Sequence, residues 1–364
     1  MTPAATVDEV QAAIRELPPG RRILPVAGAT KPALSSTDRD DVDILDVSAL
    51  RGIAEYDPAE LTLTAGAATP VAEIAEALGE HGQYLPFDPP LNGAGATLGG
   101  VIAAGASGAN AFRHGGVRDF VIGVRFVDGA GHLVTGGGKV VKNAAGFDLA
   151  KLMVGSIGRL GVMVQVSLKV FPRPRATATL ELALGTAAEA IRTATLLAGS
   201  PIDLEALDVT GEGVILARLG GPPETLAARG HRIETLVGRD AVHHTGSDDA
   251  ALWVQAADLR WAARGSSIIR VGLTARDVPA LALALAGSQP AARIRFSLAG
   301  AAAWIAWPAL EGLEPLDDLL RGLGLRGLVL IGAVGPVWLG RTTTGPFGAR
   351  LVRALDPHDR FLEV

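Results

Sequence analysis

The sequence predicts an α+β protein in two folded parts, and three observations carry that expectation. The chain has 364 residues, more than a single hydrophobic core usually serves. Glycine crowds the middle of the chain: 18 of the 46 Gly fall between 93 and 161. From 176 onward, strand and helix patterns follow a repeated order that suits one antiparallel sheet backed by helices.

The elements follow in chain order. Thr6-Val7-Asp8-Glu9 is a capping box, and Val10, Ile14 and Leu17 give the helix behind it one apolar face, which Pro18-Pro19-Gly20 ends. Strands are expected over 22–26, 43–47 and 61–67, and a helix over 69–81 with Pro70 in its first turn. A Pro-rich turn over 86–90 precedes a small apolar helix within 96–104. Residues 121–127 and 132–135 form a hairpin around Asp128-Gly129-Ala130-Gly131. A short helix over 148–154 leads to a long strand over 161–171. Pro172-Arg173-Pro174-Arg175 then breaks the pattern and marks a domain boundary. The second part reads strand (177–184), helix (187–197), two strands (204–209, 214–219) and helix (224–236). After a polar loop the order recurs over 267–323, which suggests a duplicated βαββα unit. A helix over 347–355 and a short tail close the chain. The expected domains are 1–175, 176–346 and a returning tail, 347–364.

Composition excludes several kinds of chemistry. There is no Cys, so the chain has no disulfide, no Cys nucleophile and no Cys-ligated zinc or iron–sulfur cluster. A net charge of −5 argues against a nucleic-acid binder. Asp8 and Glu9 stand where a signal peptide would be cationic, and the apolar stretches 296–310 and 327–340 are short for a membrane span; a cytoplasmic chain is expected. Gly322-Leu323-Gly324-Leu325-Arg326-Gly327 matches a dinucleotide fingerprint only formally: it follows a helix and precedes a strand, as a helix C-cap and turn would. His243-His244 beside Asp248-Asp249 could hold a metal, but adjacent residues of a strand point apart, and a solvated loop is the favoured reading. No metal site is expected. His114 is either a surface residue in a turn or a polar group facing a cofactor.

Gly and Asn tolerate positive φ and close backbone approach, so the central third is shaped by its backbone. Three segments suit a large anionic cofactor. Ala27-Gly28-Ala29-Thr30, directly after a strand and before Lys31, can present successive N–H groups as an anion nest. Thr97-Leu98-Gly99-Gly100 and Ala104-Gly105-Ala106-Ser107-Gly108 allow a pyrophosphate to approach, with Thr97 and Ser107 supplying hydroxyls. Gly155-Ser156-Ile157-Gly158-Arg159-Leu160-Gly161-Val162 runs into a strand whose backbone at Val162 could meet an adenine edge.

These segments, in this order, resemble the FAD-binding domain of flavoproteins of the vanillyl-alcohol-oxidase (PCMH) type, over roughly residues 5–175. Val117-Arg118-Asp119-Phe120-Val121, Lys142-Asn143-Ala144-Ala145-Gly146-Phe147-Asp148-Leu149, Tyr56-Asp57-Pro58 and Leu85-Pro86-Phe87-Asp88-Pro89-Pro90 are most similar to FAD-binding subunits of bacterial glycolate oxidases. Asp356-Pro357 with Phe361 resembles the closing element of that family. The resemblance implies an α+β cap domain with an antiparallel sheet after the FAD domain. It also implies FAD contacts at Pro90, Gly108, His114, Gly115, Val117, Arg118, Asp119 and Gly161, beside the cradle residues. Relatives with covalent flavin place a His in the first loop; Ala27 to Thr30 and the missing Cys imply noncovalent FAD. The third loop departs from the common G-S-E-G-T-L-G, with Ile157 for the acid and Arg159 for the Thr. Arg113, His114, Arg118, Lys142 and Asn143 are candidates to tune the flavin; an Arg118–Asp119 ion pair and helix-entry capping by Lys142 and Asn143 are the alternatives. The implied activity is oxidation of a small 2-hydroxy acid. Electrons would pass to partners, a second flavoprotein subunit and an iron–sulfur subunit. A non-catalytic assembly subunit, or a flavin reductase of the same fold, are the alternatives.

Overall fold

The computed structural model describes residues 3–138, 148–340 and 345–362. Contacts divide the chain into two units: Met1–Ser107, Gly116–Pro172 and Thr343–Val364 form the first, and Gly108–Gly115 with Arg173–Thr342 the second. The sequence expectation assigned 108–115 to the first part.

In the first unit the helix Val7–Arg15 begins at the expected capping box. Thr6 Oγ1 accepts from the Glu9 N–H, and the Glu9 carboxylate accepts from the Thr6 N–H. Its buried face, Val10 and Ile14, packs with Ile23, Leu45, Val127, Val162 and Phe361. Strands β1 (Arg22–Val26) and β2 (Val42–Asp46) pair in parallel. Then come β3 (Ile53–Asp57), β4 (Thr62–Gly66), β5 (Gln83–Tyr84), β6 (Val121–Val127), β7 (Leu133–Gly137), β8 (Val162–Lys169) and β9 (Phe171–Pro172). Strands β3-β4-β8-β6-β7 make an antiparallel sheet, and β5 pairs with β9. β3 escaped the sequence because Ile53-Ala54-Glu55-Tyr56-Asp57 lies at a sheet edge and buries none of its side chains fully, so no apolar alternation marks it. The C-terminal tail returns to this unit. Asp356 carboxylate oxygens accept from the Arg360 and Phe361 N–H groups, and the Ile23 N–H donates to the Arg360 carbonyl at 2.7 Å. That lays buried Phe361 beside β1.

The second unit holds β10 (Ala176–Ala183), β11 (Ala206–Thr210), β12 (Val214–Gly221), β13 (Val242–Thr245), β14 (Ser267–Gly272), β15 (Arg293–Ser297), β16 (Ala302–Trp307), β17 (Arg326–Ile331) and β18 (Trp338–Gly340). Their sheet order is β13-β10-β12-β11-β15-β16-β14-β17-β18. Leaving out β18, the order reads the same from either end once β10 to β13 are matched with β14 to β17. The duplication is therefore visible in topology, and each copy is βαββαβ, one strand longer than the sequence suggested. The extra strand β13 is an edge strand with polar Val242-His243-His244-Thr245, which has no alternation to betray it. The helix after it, Gly246–Ala257, was hidden by the loop-like Gly246-Ser247-Asp248-Asp249, whose acids suit a helix N-terminus. The formal glycine fingerprint is the C-terminal turn of helix Glu314–Gly322, with Gly324 at φ 68° before β17.

The two copies meet between β11 and β15, where only Val209↔Phe296 and Thr210↔Arg295 are in register. Buried Arg295 crosses this seam to buried Asp208, Nε to Oδ2 at 2.6 Å. Burial pushes the Asp208 carboxyl up, against the pull of the guanidinium.

Candidate cofactor site

The first loop leaves β1 as Ala27-Gly28-Ala29-Thr30-Lys31. Ala29 takes φ 47°, the left-handed turn that redirects the chain. A Cβ at Gly28 would lie 2.7 Å from the Gly95 carbonyl oxygen and 2.9 Å from Thr97 Cγ2, so only glycine lets these backbones approach. The second segment opens the helix Leu98–Ala104, with Thr97 Oγ1 accepting from the Gly100 N–H. Gly99 donates to the Ala67 carbonyl at 2.7 Å. The third loop is knitted to that helix: Gly155 N–H donates to the Ile102 carbonyl and Ile157 N–H to the Ala103 carbonyl. Ile157, at φ 46°, holds a left-handed conformation rare for a β-branched residue.

Together these loops wall an open groove. Ten of the residues named from the sequence line it: Ala27, Gly28, Ala29, Thr30, Lys31, Thr97, Gly99, Gly100, Gly161 and Val162. Ile157 and Gly158 of the third segment line it too, as do Pro25, Leu34, Ser35, Ala67 and Ala103, which the sequence did not single out. Of these, Leu34 and Ser35 could have been found from Pro32, which starts the short helix Pro32–Ser35 directly after Lys31.

The other named residues lie off the groove lining. Pro90 and Ala104 are buried. Ser107 Oγ accepts from the Val117 N–H at 2.9 Å. Arg118 is exposed and donates to the Lys151 carbonyl, while Lys151 Nζ returns bonds to the carbonyls of Arg118 and Val121; Asp119 is exposed. Gly108, His114 and Gly115 belong to the second unit. There Arg113 pairs with Asp203 (2.7 Å) and Glu205 (2.8 Å), and His114 Nε2 lies 3.4 Å from Glu205 Oε2. Burial lowers the His114 pKa, and Glu205 opposes the shift. Lys142 and Asn143 lie outside the described residues. His243 and His244 bond different carboxylates, Glu234 and Glu181, and no group of three potential metal ligands gathers among the described residues.

Lys31 brings positive charge to the groove, and the described lining residues include no acid. Lys31 is only 5% exposed and its Nζ lies 3.4 Å from Thr30 Oγ1; burial pushes it down to about 8. Arg159, on the third loop, is equally buried. Glycine walls that a Cβ would fill, with buried cations beside them, fit a large anionic cofactor that lies against backbone.

Comparison with known proteins agrees. Residues 3–137 match the family model of an FAD binding domain. Over 136 residues the chain is 52% identical to glycolate oxidase subunit GlcE of Escherichia coli (strain K12), covering 37% of this chain and 39% of that protein. It is 31% identical over 204 residues to glycolate oxidase subunit GlcD of Bacillus subtilis (strain 168), covering 50% and 43%. It is also 31% identical over 180 residues to D-2-hydroxyglutarate dehydrogenase of Xanthomonas citri pv. viticola, covering 49% and 38%. The matches thus span about two fifths of these relatives' lengths. Among solved structures, alkyldihydroxyacetonephosphate synthase superposes with a TM-score of 0.71 at 15% identity, covering 98% of this chain and 74% of that one. At that identity the likeness establishes the fold, the PCMH-type arrangement that the sequence predicts. Residues 3–137 therefore match an FAD binding domain, and FAD is the cofactor.

Proposed function

We propose that the chain is the FAD-bearing subunit of an assembly that oxidises small 2-hydroxy acids, glycolate among them, and passes the electrons to partner subunits. The observation that carries this reading is the three-loop groove, lying in the part of the chain that is 52% identical to a glycolate oxidase subunit. Bound FAD supplies a two-electron acceptor for conversion of the substrate's C–OH to a carbonyl. The chain's own residues bind and orient. Ala27 to Thr30 turn their backbone toward the groove, and Lys31 adds a cation. Gly99 and Gly100 let the cofactor lie against the helix Leu98–Ala104, and Val162 offers strand backbone at its far wall. The described groove residues include neither His nor Cys, so FAD is held noncovalently. With no Cys to ligate a cluster, the electrons leave through an iron–sulfur partner, beside a second flavoprotein subunit. No helix among the described residues is long and apolar enough to cross a membrane.

The purified chain is expected to be yellow, to release all of its FAD on acid precipitation, and to oxidise glycolate with an artificial acceptor only when its partner subunits are present. A colourless chain that never takes up added FAD would sink this reading. Turnover by the chain alone would remove the need for partners, and absence of turnover from the whole assembly would leave the chain as a scaffold.

Lys31 gives the binding a pH dependence. Its pKa in the free fold, about 8, lies below the usual 10.5. Between those values the unfolded chain holds a proton that the folded apoprotein has shed, so apoprotein stability rises with pH across that window. A bound pyrophosphate favours the charged amine. Above pH 8 binding then takes up a proton, and FAD affinity falls by up to about tenfold per pH unit. Calorimetry at pH 8.5 in buffers of different ionisation enthalpy measures that uptake. An affinity that stays flat or rises from pH 7 to 9.5 removes Lys31 from the site.

A further inference from the structure

Arg159 follows Gly158 and precedes Gly161 in the chain; both glycines line the groove, and Arg159 lies behind that lining rather than on it. It is 5% exposed, and its Nε and Nη1 are buried with no hydrogen-bond partner. Ser156 Oγ, on the same loop, is orphaned in the same way. Residues 155–162 contain no acid. Arg39, whose charge acts on Arg159, repels it and is itself paired with Asp41 at 2.6 Å. A buried guanidinium without a carboxylate is costly, and burial depresses this one to about 10. The third loop also abuts the strand that delivers the first: a Cβ at Gly158 would lie 3.3 Å from Pro25 Cγ, in β1.

We propose that Arg159 acts with Lys31 as the counter-charge for the cofactor's pyrophosphate, a role that rests on the assignment of FAD to this groove. The two cations match the two negative charges of a pyrophosphate diester. The planar guanidinium can engage phosphate oxygens with two parallel N–H groups, where Lys31 acts as a point charge. The same logic explains why the protein keeps two buried donors without partners: the ligand brings the acceptors. Because the glycine walls already provide close backbone approach, the arginine adds selectivity for charge. It therefore distinguishes ADP from adenosine, which share the base and ribose and differ in the pyrophosphate.

The test uses the full chain stripped of flavin, with Arg159→Met and Arg159→Lys. Relieved of a buried charge, the Arg159→Met apoprotein is expected to melt at least about 2 °C above wild type. By calorimetry its affinity for FAD and ADP falls tenfold or more, its affinity for adenosine stays within twofold, and Arg159→Lys recovers most of the ADP affinity. Arg159→Gln carries the same comparison if the Met variant does not fold. Equal losses for ADP and adenosine, or Met and Gln apoproteins that are both less stable than wild type, make Arg159 a structural brace and overturn the proposal. Unchanged FAD and ADP affinity in a variant of an FAD-binding wild type overturns this role alone. A wild-type chain that binds neither FAD nor ADP overturns the FAD assignment itself.

Discussion

Gly100→Trp gives a chain that folds and takes up no FAD. A Cβ built at Gly100 meets only Thr97 Oγ1, at 3.0 Å, and is otherwise clear of neighbours within 4 Å. Because Gly100 lines the groove, the indole grows into the cofactor's space and leaves the core undisturbed. Gly99, one residue earlier, behaves differently. A Cβ there would press on Ala67 Cβ and the Ala67 carbonyl oxygen, each at 2.9 Å, so even Gly99→Ala distorts the join between its helix and the segment after β4. The pair separates filling the cradle from breaking it. Gly100→Trp is expected to melt within about 3 °C of the wild-type apoprotein, with FAD affinity reduced roughly a hundredfold or more, about 2.8 kcal/mol of lost binding. Gly99→Ala loses stability first. Fluorescence titration of FAD and circular-dichroism melts of the two apoproteins check this. A folded Gly100→Trp chain that stays yellow would place the cofactor elsewhere.

Asp249→Ala is expected to destabilise the second unit by about 3–5 kcal/mol, the usual cost of leaving a buried ion-pair partner alone. Asp249 is fully buried. Its carboxylate accepts from Thr177 Oγ1 and Thr179 Oγ1, both at 2.6 Å, and from Arg218 Nη2 at 2.7 Å. Thr179 Oγ1 in turn accepts from Trp253 Nε1, and the guanidinium of Arg218 stacks 5.5 Å from that ring. Removing the acid strands Arg218 beneath the helix Gly246–Ala257 and frees two strand hydroxyls at once. Adding Arg218→Met should restore more than half of the loss, because the double variant buries no unpaired charge. Urea unfolding of the two variants measures both effects; a single-variant loss below about 1 kcal/mol would mean the network relaxes around the gap.

Much of the fold could be read from local signals. The capping box at Thr6, the Asp128–Gly131 hairpin turn and the βαββ order of the second part each write a local preference into a few residues. What escaped was polar where locality predicts apolar. β13 and the helix behind it show exposed His and Asp-rich starts, and only the sheet edge and the buried Asp249 give them a place. The groove divides the same way. Its glycines were legible because close approach and positive φ restrict residue choice at single positions. The charge state of Lys31 was not, because it depends on burial that sequence spacing does not reveal. Arg113 and His114 follow Asp203 and Glu205, about 90 residues further on, a partnership no local pattern records.

The seam of the nine-stranded sheet has a consequence for how such chains recognise themselves. Asp208 and Arg295 are each the middle residue of their five-residue strands, β11 and β15, and so occupy matching positions in the two copies. A first half meeting another first half would bring two Asp208 carboxylates together in a dry interface, and two second halves would oppose their arginines. Only a first half against a second half is neutral. Divergence at one pair of matching positions thus gives two similar halves a polarity and disfavours the pairing of like halves.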